Sequence, residues 1–233
     1  MIVRAMVRVS TLQHMANVLT VNLAQPRPNS DKGQLWTGID KRPTDDTVTV
    51  RAPGPMHSGE GSGLLGDFIG DKQYHGGDDQ AVYAYAREDL DAWERELERN
   101  LDNGMFGENF TTAGLDVTGA RIGERWGVGS GGLVLEVSRP RIPCRTFATF
   151  LSIRGWVKKF TTGATPGAYL RVIESGTVRA GDSVVVLDKP NHDVTVGMVF
   201  RAMTLEPELL PHVLEADALP DEIKDLARRR VNS

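Results

Sequence analysis

The 233-residue sequence has a single cysteine, little excess charge and no long apolar run. One cysteine excludes an internal disulfide and an iron–sulfur cluster held by cysteines alone, and it fits a reducing compartment. The formal net charge of −4 argues against a general nucleic-acid-binding surface, which needs a clustered basic excess. No apolar stretch reaches the length that spans a bilayer, and the first residues, MIVRAMVRVS, have arginines where a signal peptide needs apolar side chains. We therefore expect a cytoplasmic protein without nucleic-acid or membrane partners.

The pattern along the chain indicates three segments. Residues 1–14 precede a cleaner strand pattern that begins at Met15, and we interpret them as an extension or an upstream start; an edge strand is the alternative. Residues 15–190 contain short alternating apolar runs separated by turn residues, which is typical of a β-barrel or sandwich. A helix with one apolar stripe is predicted over 86–101. Residues 194–233 predict a small domain of three helices, with acids in the first turn and bases in the last turn of its third helix.

The stretch LVLEVSRPRIPCRT, residues 133–146, surrounds the only cysteine with arginines and prolines. Its apolar alternation predicts a strand that ends at Pro140, because proline cannot donate to a sheet ladder. Cations such as Arg139 and Arg141 bias the thiol of Cys144 toward thiolate, which is both the nucleophile and the form that binds a soft metal. The alternative is a small buried hydrophobe, although arginines and prolines are unusual neighbours for a core residue.

The stretch DKQYHGGDDQ, residues 71–80, has a glycine pair after a histidine. Gly76 and Gly77 allow the backbone to approach a ligand closely, and consecutive amides there can form an anion-binding nest. A polar turn is the alternative interpretation. A cysteine nucleophile with His75 as its base is also open, since the sequence does not place the two residues relative to each other.

The stretch GMFGENFT, residues 104–111, presents Glu108 and Asn109 beside apolar anchors. An amide side chain offers donors and an acceptor, so Asn109 suits holding an oxo group or a heterocycle. Alternatively, Asn109 begins a strand and bonds to the local backbone.

Isolated cations also stand out in this acidic chain, among them Lys41, Arg42 and Arg171. Arg171 lies inside the apolar run 168–173, where an unpaired guanidinium would be costly. A phosphate or carboxylate partner is therefore predicted for it, and an internal Asp or Glu would serve as well as a ligand.

Together these motifs resemble the MOSC domain family, named after the C-terminal domain of molybdenum cofactor sulfurase, and within it the YiiM-like subgroup. The matching text covers most of residues 15–187 in order: GIDKRP, DKQYHGGDDQAVYAYAREDLDAWE, GMFGENFTTAGL with IGERW, LEVSRPRIPC and GAYLRVIESGTVRAGD. The resemblance implies a mainly β fold, with a MOSC-type closed β-barrel and a few helices over 15–190, followed by a small three-helix bundle over 194–233.

The resemblance also implies a pterin-based molybdenum cofactor (Mo-molybdopterin), without pyridoxal phosphate, and Cys144 as the protein ligand to molybdenum. The implied activity is two-electron reduction of N-hydroxylated substrates, such as hydroxylamino purines and amidoximes, with electrons from a separate reductase; a homodimer is compatible with it. The candidate catalytic residues are Cys144, Asn109, His75 and Glu108. The candidates for holding the cofactor are Lys41, Arg42, His75, Gly76, Gly77, Asn109, Arg139, Arg141 and Arg171.

Two other functions stay open at this point. One is a carrier that binds the same cofactor and hands it on without turnover. The other is a sulfur-handling protein in which Cys144 carries a persulfide, suggested by the family's link to a sulfurase.

Overall fold

The computed structural model describes residues 16–30 and 35–231, so the predicted extension at 1–14 lies outside the described residues. The described chain is mainly β and is built around one large sheet. Its strands are β1 Asn17–Ala24, β2 Arg27–Pro28, β3 Trp36–Thr37, β4 Lys41–Thr44, β5 Val48–Val50, β6 Val82–Ala86, β7 Phe110–Ala113, β8 Arg125–Val128, β9 Leu133–Pro140, β10 Ala168–Glu174, β11 Gly176–Val178 and β12 Val184–Asp188. Its α-helices are α1 Arg87–Leu97, α2 Arg145–Leu151, α3 Trp156–Gly163, α4 Val196–Thr204, α5 Leu210–Val213 and α6 Asp221–Val231.

The large sheet has eight strands in the order β12-β8-β9-β10-β6-β7-β1-β4, with two-stranded pairs β11-β5 and β2-β3 beside it. All neighbours in the large sheet are antiparallel except β6 and β7, which are parallel. The mainly β prediction is confirmed, but the predicted closed barrel is not found, because the ladder has ends at β12 and β4. β1 pairs with β7 on both sides of a register shift between Val18 and Thr20, and its Asn17 also forms a single bridge to Ser183, next to β12.

Three helices pack an aromatic cluster against the sheet. The predicted helix over 86–101 is observed as α1, which ends where Glu98 takes a left-handed conformation with φ of 50°. The short helices α2 and α3 were not predicted, since neither carries a long enough apolar period. The cluster that they complete with α1 and β6 is buried: Tyr83, Tyr85, Leu90, Trp93, Leu101, Phe106, Phe147, Leu151, Trp156, Phe160 and Phe200.

The C-terminal helices follow the predicted positions. The hydroxyl of Thr195 accepts a hydrogen bond from the Met198 amide at 3.1 Å and so caps α4. Apolar residues of α4, α5 and α6 belong to the same core cluster as the strands. Within the described part of the chain, no helix combines the length and the apolar character that crossing a membrane requires.

The sheet brings the sequence motifs to one place. Strand β10 lies between β9 and β6, and its Tyr169 pairs with Tyr83 of β6 and with Arg139 of β9. Strand β9 then leads directly into the irregular residues 141–144 and α2. Cys144 is therefore held at the end of a central strand, beside a helix packed into the aromatic cluster.

Candidate functional site

A cleft opens at the end of β9 and contains Cys144. Its empty space is about 730 Å³, including the part open to solvent. The lining combines a thiol, cations, amides and aromatic rings. The lining residues used below are Trp36, Lys41, Phe68, His75, Gly76, Tyr83, Asn109, Arg141, Cys144 and Tyr169.

The thiol of Cys144 is partly buried and acidified. Burial alone would raise its pKa, but a hydrogen bond with His75, the charge of Arg141 and the backbone amide of Phe147 lower it, and the result is a pKa of about 7. A large fraction of the sulfur is therefore thiolate at neutral pH, the form that reacts and binds soft metals. The sequence-based expectation of a cation-flanked thiol thus has a geometric basis, with Arg141 as the contributing arginine.

Arg141 is a buried guanidinium whose charge is not neutralised. It is 6% exposed, and among the described residues no carboxylate forms an ion pair with it. Its Nη1 donates to the carbonyl of Phe106, and its guanidinium carbon lies 3.8 Å from the centroid of the Phe147 ring and 5.1 Å from that of Tyr83. Ring faces stabilise a cation without cancelling its charge, so the wall beside Cys144 stays positive.

Two tyrosines form the aromatic part of the cleft. The rings of Tyr83 and Tyr169 are 5.1 Å apart between centroids. The Tyr83 hydroxyl donates to the Pro166 carbonyl at 2.8 Å, whereas the Tyr169 hydroxyl bonds to no described residue. Burial raises the pKa of both phenols, so both stay protonated at neutral pH. Tyr169 therefore offers a neutral hydroxyl to the cleft.

A buried polar network around Asp67 supports another part of the lining. The Lys41 ammonium bonds both Asp67 oxygens, at 2.6 and 2.7 Å, and the Asn109 amide donates to the same carboxylate at 2.9 Å. Burial acts to raise the pKa of Asp67, but Lys41, Ser62 and Asn109 outweigh it and lower the pKa. The Lys41 charge is thus neutralised inside the protein, unlike that of Arg141.

The structure gives Asn109 and Glu108 local roles. Asn109 lines the cleft, yet its Oδ1 accepts from the Tyr83 amide at 3.1 Å, so its polar groups already have partners. Glu108 is fully buried and lies outside the lining. Its carboxylate accepts from the Gly104 and Phe106 amides at 2.6 and 3.0 Å and from the Thr111 hydroxyl at 2.8 Å.

The glycine pair serves a close backbone approach. Gly76 and Gly77 have φ of 83° and 81°, and a Cβ at Gly77 would lie 2.5 Å from the Met56 Cα. The Gly77 amide donates to the Gly61 carbonyl at 2.8 Å, so that amide is not available for a nest. The turn places His75 and Gly76 in the lining of the cleft.

Three of the predicted cations do not line the cleft. Arg139 is paired with Glu222 of α6. Arg171 is paired with Asp79 and with Glu136, the latter at 3.0 Å, so its carboxylate partners are internal. Arg42 is 54% exposed and is paired with Asp40 at 2.8 Å.

Sequence reasoning missed the aromatic half of the site. Four aromatic residues from separate parts of the chain line the cleft, and no sequence motif indicates that they come together: Tyr83, Tyr169, Trp36 and Phe68. One signal was available: the alternation in VYAYA places Tyr83 and Tyr85 on the same face of a strand.

The chain is thus a mainly β domain with an acidified cysteine in a cleft at the end of a sheet strand. The MOSC domain family matches residues 71–185. A Bacillus subtilis protein called uncharacterized protein YflK is 33% identical over 190 residues, which is 81% of each chain. The chain therefore belongs to the MOSC domain family, and the YiiM-like resemblance is confirmed by the next two comparisons.

Escherichia coli protein YiiM is 33% identical over 139 residues, 58% of this chain and 60% of that one. The crystal structure of YiiM from Geobacillus stearothermophilus superposes with a TM-score of 0.73 at 22% identity, over 92% of this chain and 98% of that one. A Gibberella moniliformis protein named reductase is 28% identical over 222 residues, which cover 93% of this chain but only 37% of the fungal one. MOSC domains are known as molybdenum-cofactor-binding domains.

Proposed function

We propose that the protein holds a pterin-based molybdenum cofactor through the Cys144 thiolate and reduces N-hydroxylated substrates, such as hydroxylamino purines and amidoximes, to amines. The observation that carries the proposal is the combination of a thiol with a pKa of about 7 and a buried, unneutralised guanidinium in one cleft. Family membership and the reductase name of the fungal relative support it.

The residues present fit this group. Its dithiolene and phosphate are anionic, and Arg141 supplies a positive charge that no internal carboxylate cancels. A thiolate suits a metal that already has sulfur ligands. The Tyr169 hydroxyl, which bonds to no described residue, can bond a polar heterocycle. Among the cations predicted from the sequence, Arg141 and Lys41 line the cleft, and only Arg141 lacks an internal carboxylate.

When bound, the molybdenum would supply the two-electron chemistry that removes the substrate oxygen. The chain must hold the thiolate, orient the substrate and deliver protons as the N–O bond breaks. Among the titratable groups of the sequence motifs, His75 lines the cleft, whereas Glu108 is buried in its loop and Asp79 is paired with Arg171. The ring nitrogen of His75 that bonds the Cys144 sulfur is therefore the proposed proton-holding atom.

Electrons would come from a separate reductase. The aligned residues make up 37% of the length of the fungal protein.

The deciding experiment uses protein made in a host that synthesises the cofactor. We expect molybdenum bound near one per chain, a cysteine-ligated signal in electron paramagnetic resonance, and oxidation of reduced viologen by 6-N-hydroxylaminopurine. Cys144→Ala should remove the activity and change the metal signal, with the melting temperature nearly unchanged because the side chain is only partly buried. Full activity in Cys144→Ala would overturn the assignment.

The same preparation separates the two alternatives. Full molybdenum occupancy without viologen oxidation would indicate a cofactor carrier. A mass increase of one sulfur on Cys144 in metal-free protein would indicate a persulfide carrier.

A further inference from the structure

A second cavity, which we call the side groove, continues from the cleft. It lies between the β2–β3 hairpin and α2 and encloses about 620 Å³ of empty space, including the part open to solvent. Cleft and groove share Asn29, Thr37, Ile39 and Thr146 in their linings. Because Thr146 is two residues after Cys144, the groove begins beside the proposed metal ligand.

Hydroxyl groups dominate the side groove. They belong to Ser30, Thr37, Thr146, Thr149 and Ser152. The Thr146 hydroxyl accepts from the Asn29 amide at 3.2 Å, and the Ser152 hydroxyl donates to the Thr149 carbonyl at the same distance. The Thr149 hydroxyl bonds to no other described residue, and no described carboxylate lines the groove. Such a surface suits a ligand with several hydroxyls and an anionic end.

Arg27 supplies the charge of the side groove. Its guanidinium carbon lies 5.7 Å from the centroid of the Phe150 ring, and its Nη1 forms an ion pair of 3.4 Å with Asp40. The side chain is 53% exposed and has this one ion pair among the described residues, so N–H groups of the guanidinium remain available to a ligand. A guanidinium binds phosphate with two parallel hydrogen bonds, so it can hold a phosphoryl group here.

We infer that the side groove is a subsite for the sugar and phosphate of a nucleotide whose N-hydroxylated base lies in the cleft next to Cys144. The inference rests on the proposed function and deepens it, since it names phosphorylated nucleosides, rather than free bases, as the preferred substrate class. The cleft provides rings for the base, and the groove provides hydroxyls for the ribose and Arg27 for the phosphate.

The first test measures equilibrium binding to the cofactor-loaded protein by titration calorimetry, with adenine and adenosine 5′-monophosphate as unreactive probes. Wild-type protein should bind the monophosphate about tenfold or more tightly than adenine, the effect of one charge-assisted hydrogen-bond pair. Arg27→Gln and Thr149→Val should lose most of that preference and leave adenine binding unchanged.

Matched controls are available for both variants. Arg42 is paired with the same Asp40 and is equally exposed, at 54%, but it does not line the groove. Thr162 is an exposed threonine on α3, away from the groove. Arg42→Gln and Thr162→Val should keep the full preference for the monophosphate.

Each remaining result has a defined meaning. Equal binding of adenine and the monophosphate by wild-type protein overturns the inference. So does a loss of bound molybdenum in Arg27→Gln with the nucleotide preference intact, because the groove would then hold the cofactor's own phosphate. Failure of the proposed function is separate: it appears as no molybdenum binding and no reduction of 6-N-hydroxylaminopurine or its nucleotide.

Discussion

Arg141 and Arg171 show two different uses of a charge inside one protein. Both side chains are largely shielded from solvent, and both belong to segments that continue or neighbour the central strands. Arg171 is neutralised by Asp79 and Glu136, whereas Arg141 has ring faces and one carbonyl as its partners. In the first arrangement, ion pairs join Arg171 of β10 to Glu136 of β9 and to Asp79. The second places a positive charge beside Cys144, where it favours the thiolate.

The buried carboxylates repeat this contrast. Asp67 has the Lys41 ammonium within 2.6 Å, and its pKa is lowered overall although burial acts to raise it. Glu108 has no cationic partner among the described residues, and burial raises its pKa despite hydrogen bonds from Gly104, Phe106 and Thr111. Burial alone therefore does not decide how a charge behaves; the neighbours do.

The largest expected effect comes from Arg141→Met, which keeps an apolar stem and removes the charge. We expect bound molybdenum to fall by about tenfold or more, because a buried charge-assisted contact is worth about 1.5–3 kcal/mol. The pKa of Cys144 should rise above its present value of about 7, since the Arg141 charge is one of the groups that lower it. Metal analysis and the pH dependence of Cys144 alkylation in metal-free protein measure the two effects.

Arg171→Met is the matched control for that experiment, since it removes a guanidinium that has internal partners. Its molybdenum content should equal that of the wild type. If Arg141→Met retains full molybdenum and leaves the pKa of the Cys144 thiol unchanged, the difference between the two arginines has no role in cofactor binding.

Glu108→Gln should lower the free energy of unfolding by about 2 kcal/mol. The amide can keep one acceptor oxygen, but its NH₂ group must then face a backbone N–H of the 104–106 loop, so one buried donor loses its acceptor. Denaturant unfolding at pH 7 provides the measurement. Glu174→Gln, an exposed position, is the control and should be neutral. If Glu108→Gln were as stable as the wild type but reduced substrate at an altered rate, Glu108 would be a catalytic candidate again.

Local sequence patterns predicted many of the strands and helices. The strand that begins at Leu133 and ends at Pro140 was predicted from its alternation and its proline. Cys144 was identified because its neighbours in sequence, including Arg141, are also its neighbours in space. The three C-terminal helices were predicted for a similar reason, since period and capping are local properties.

Other features depend on contacts that sequence spacing does not encode. Asp79 and Arg171 are 92 residues apart, so the internal partner of Arg171 emerged only in the structure. The closed barrel was expected from the family resemblance, but the described large sheet has ends at β12 and β4, and local alternation does not fix the register on which pairing of sheet ends depends. Tyr83 and Tyr169 meet only because β6 and β10 are adjacent.

Arg171→Met also tests how much the internal ion pairs of Arg171 contribute to stability. Losing the guanidinium leaves Glu136 with Arg125 at 3.1 Å and leaves Asp79 without its ion pair, so stability should fall by about 1 kcal/mol. Thermal unfolding gives the value, and Arg179→Met serves as control, because Arg179 is 69% exposed and its ion pair is 3.8 Å long. An unchanged melting temperature together with lost molybdenum would assign Arg171 to ligand binding instead.

The smallest effect is expected at Asp89, whose charged neighbours, Asp116 and Glu88, are also carboxylates. Burial, followed by the charge of Asp116, raises the pKa of Asp89 to about 6, although a hydrogen bond from Thr118 opposes the shift. The native state therefore binds this proton at a higher pH than the unfolded chain, whose Asp pKa is about 3.9. Wild-type stability should fall as pH rises from about 4 to about 6, and the penalty is complete above that window.

Asp89→Asn removes that penalty, so it should stabilise the protein at pH 7.5 by up to about 1 kcal/mol after allowance for solvent screening, and by nothing at pH 4. Urea unfolding at both pH values measures the difference. Asp45→Asn, at an exposed position, should change neither value. The amide keeps an oxygen that can accept from Thr118, so a loss of stability at pH 7.5 would contradict the raised pKa of Asp89 and not reflect a missing acceptor.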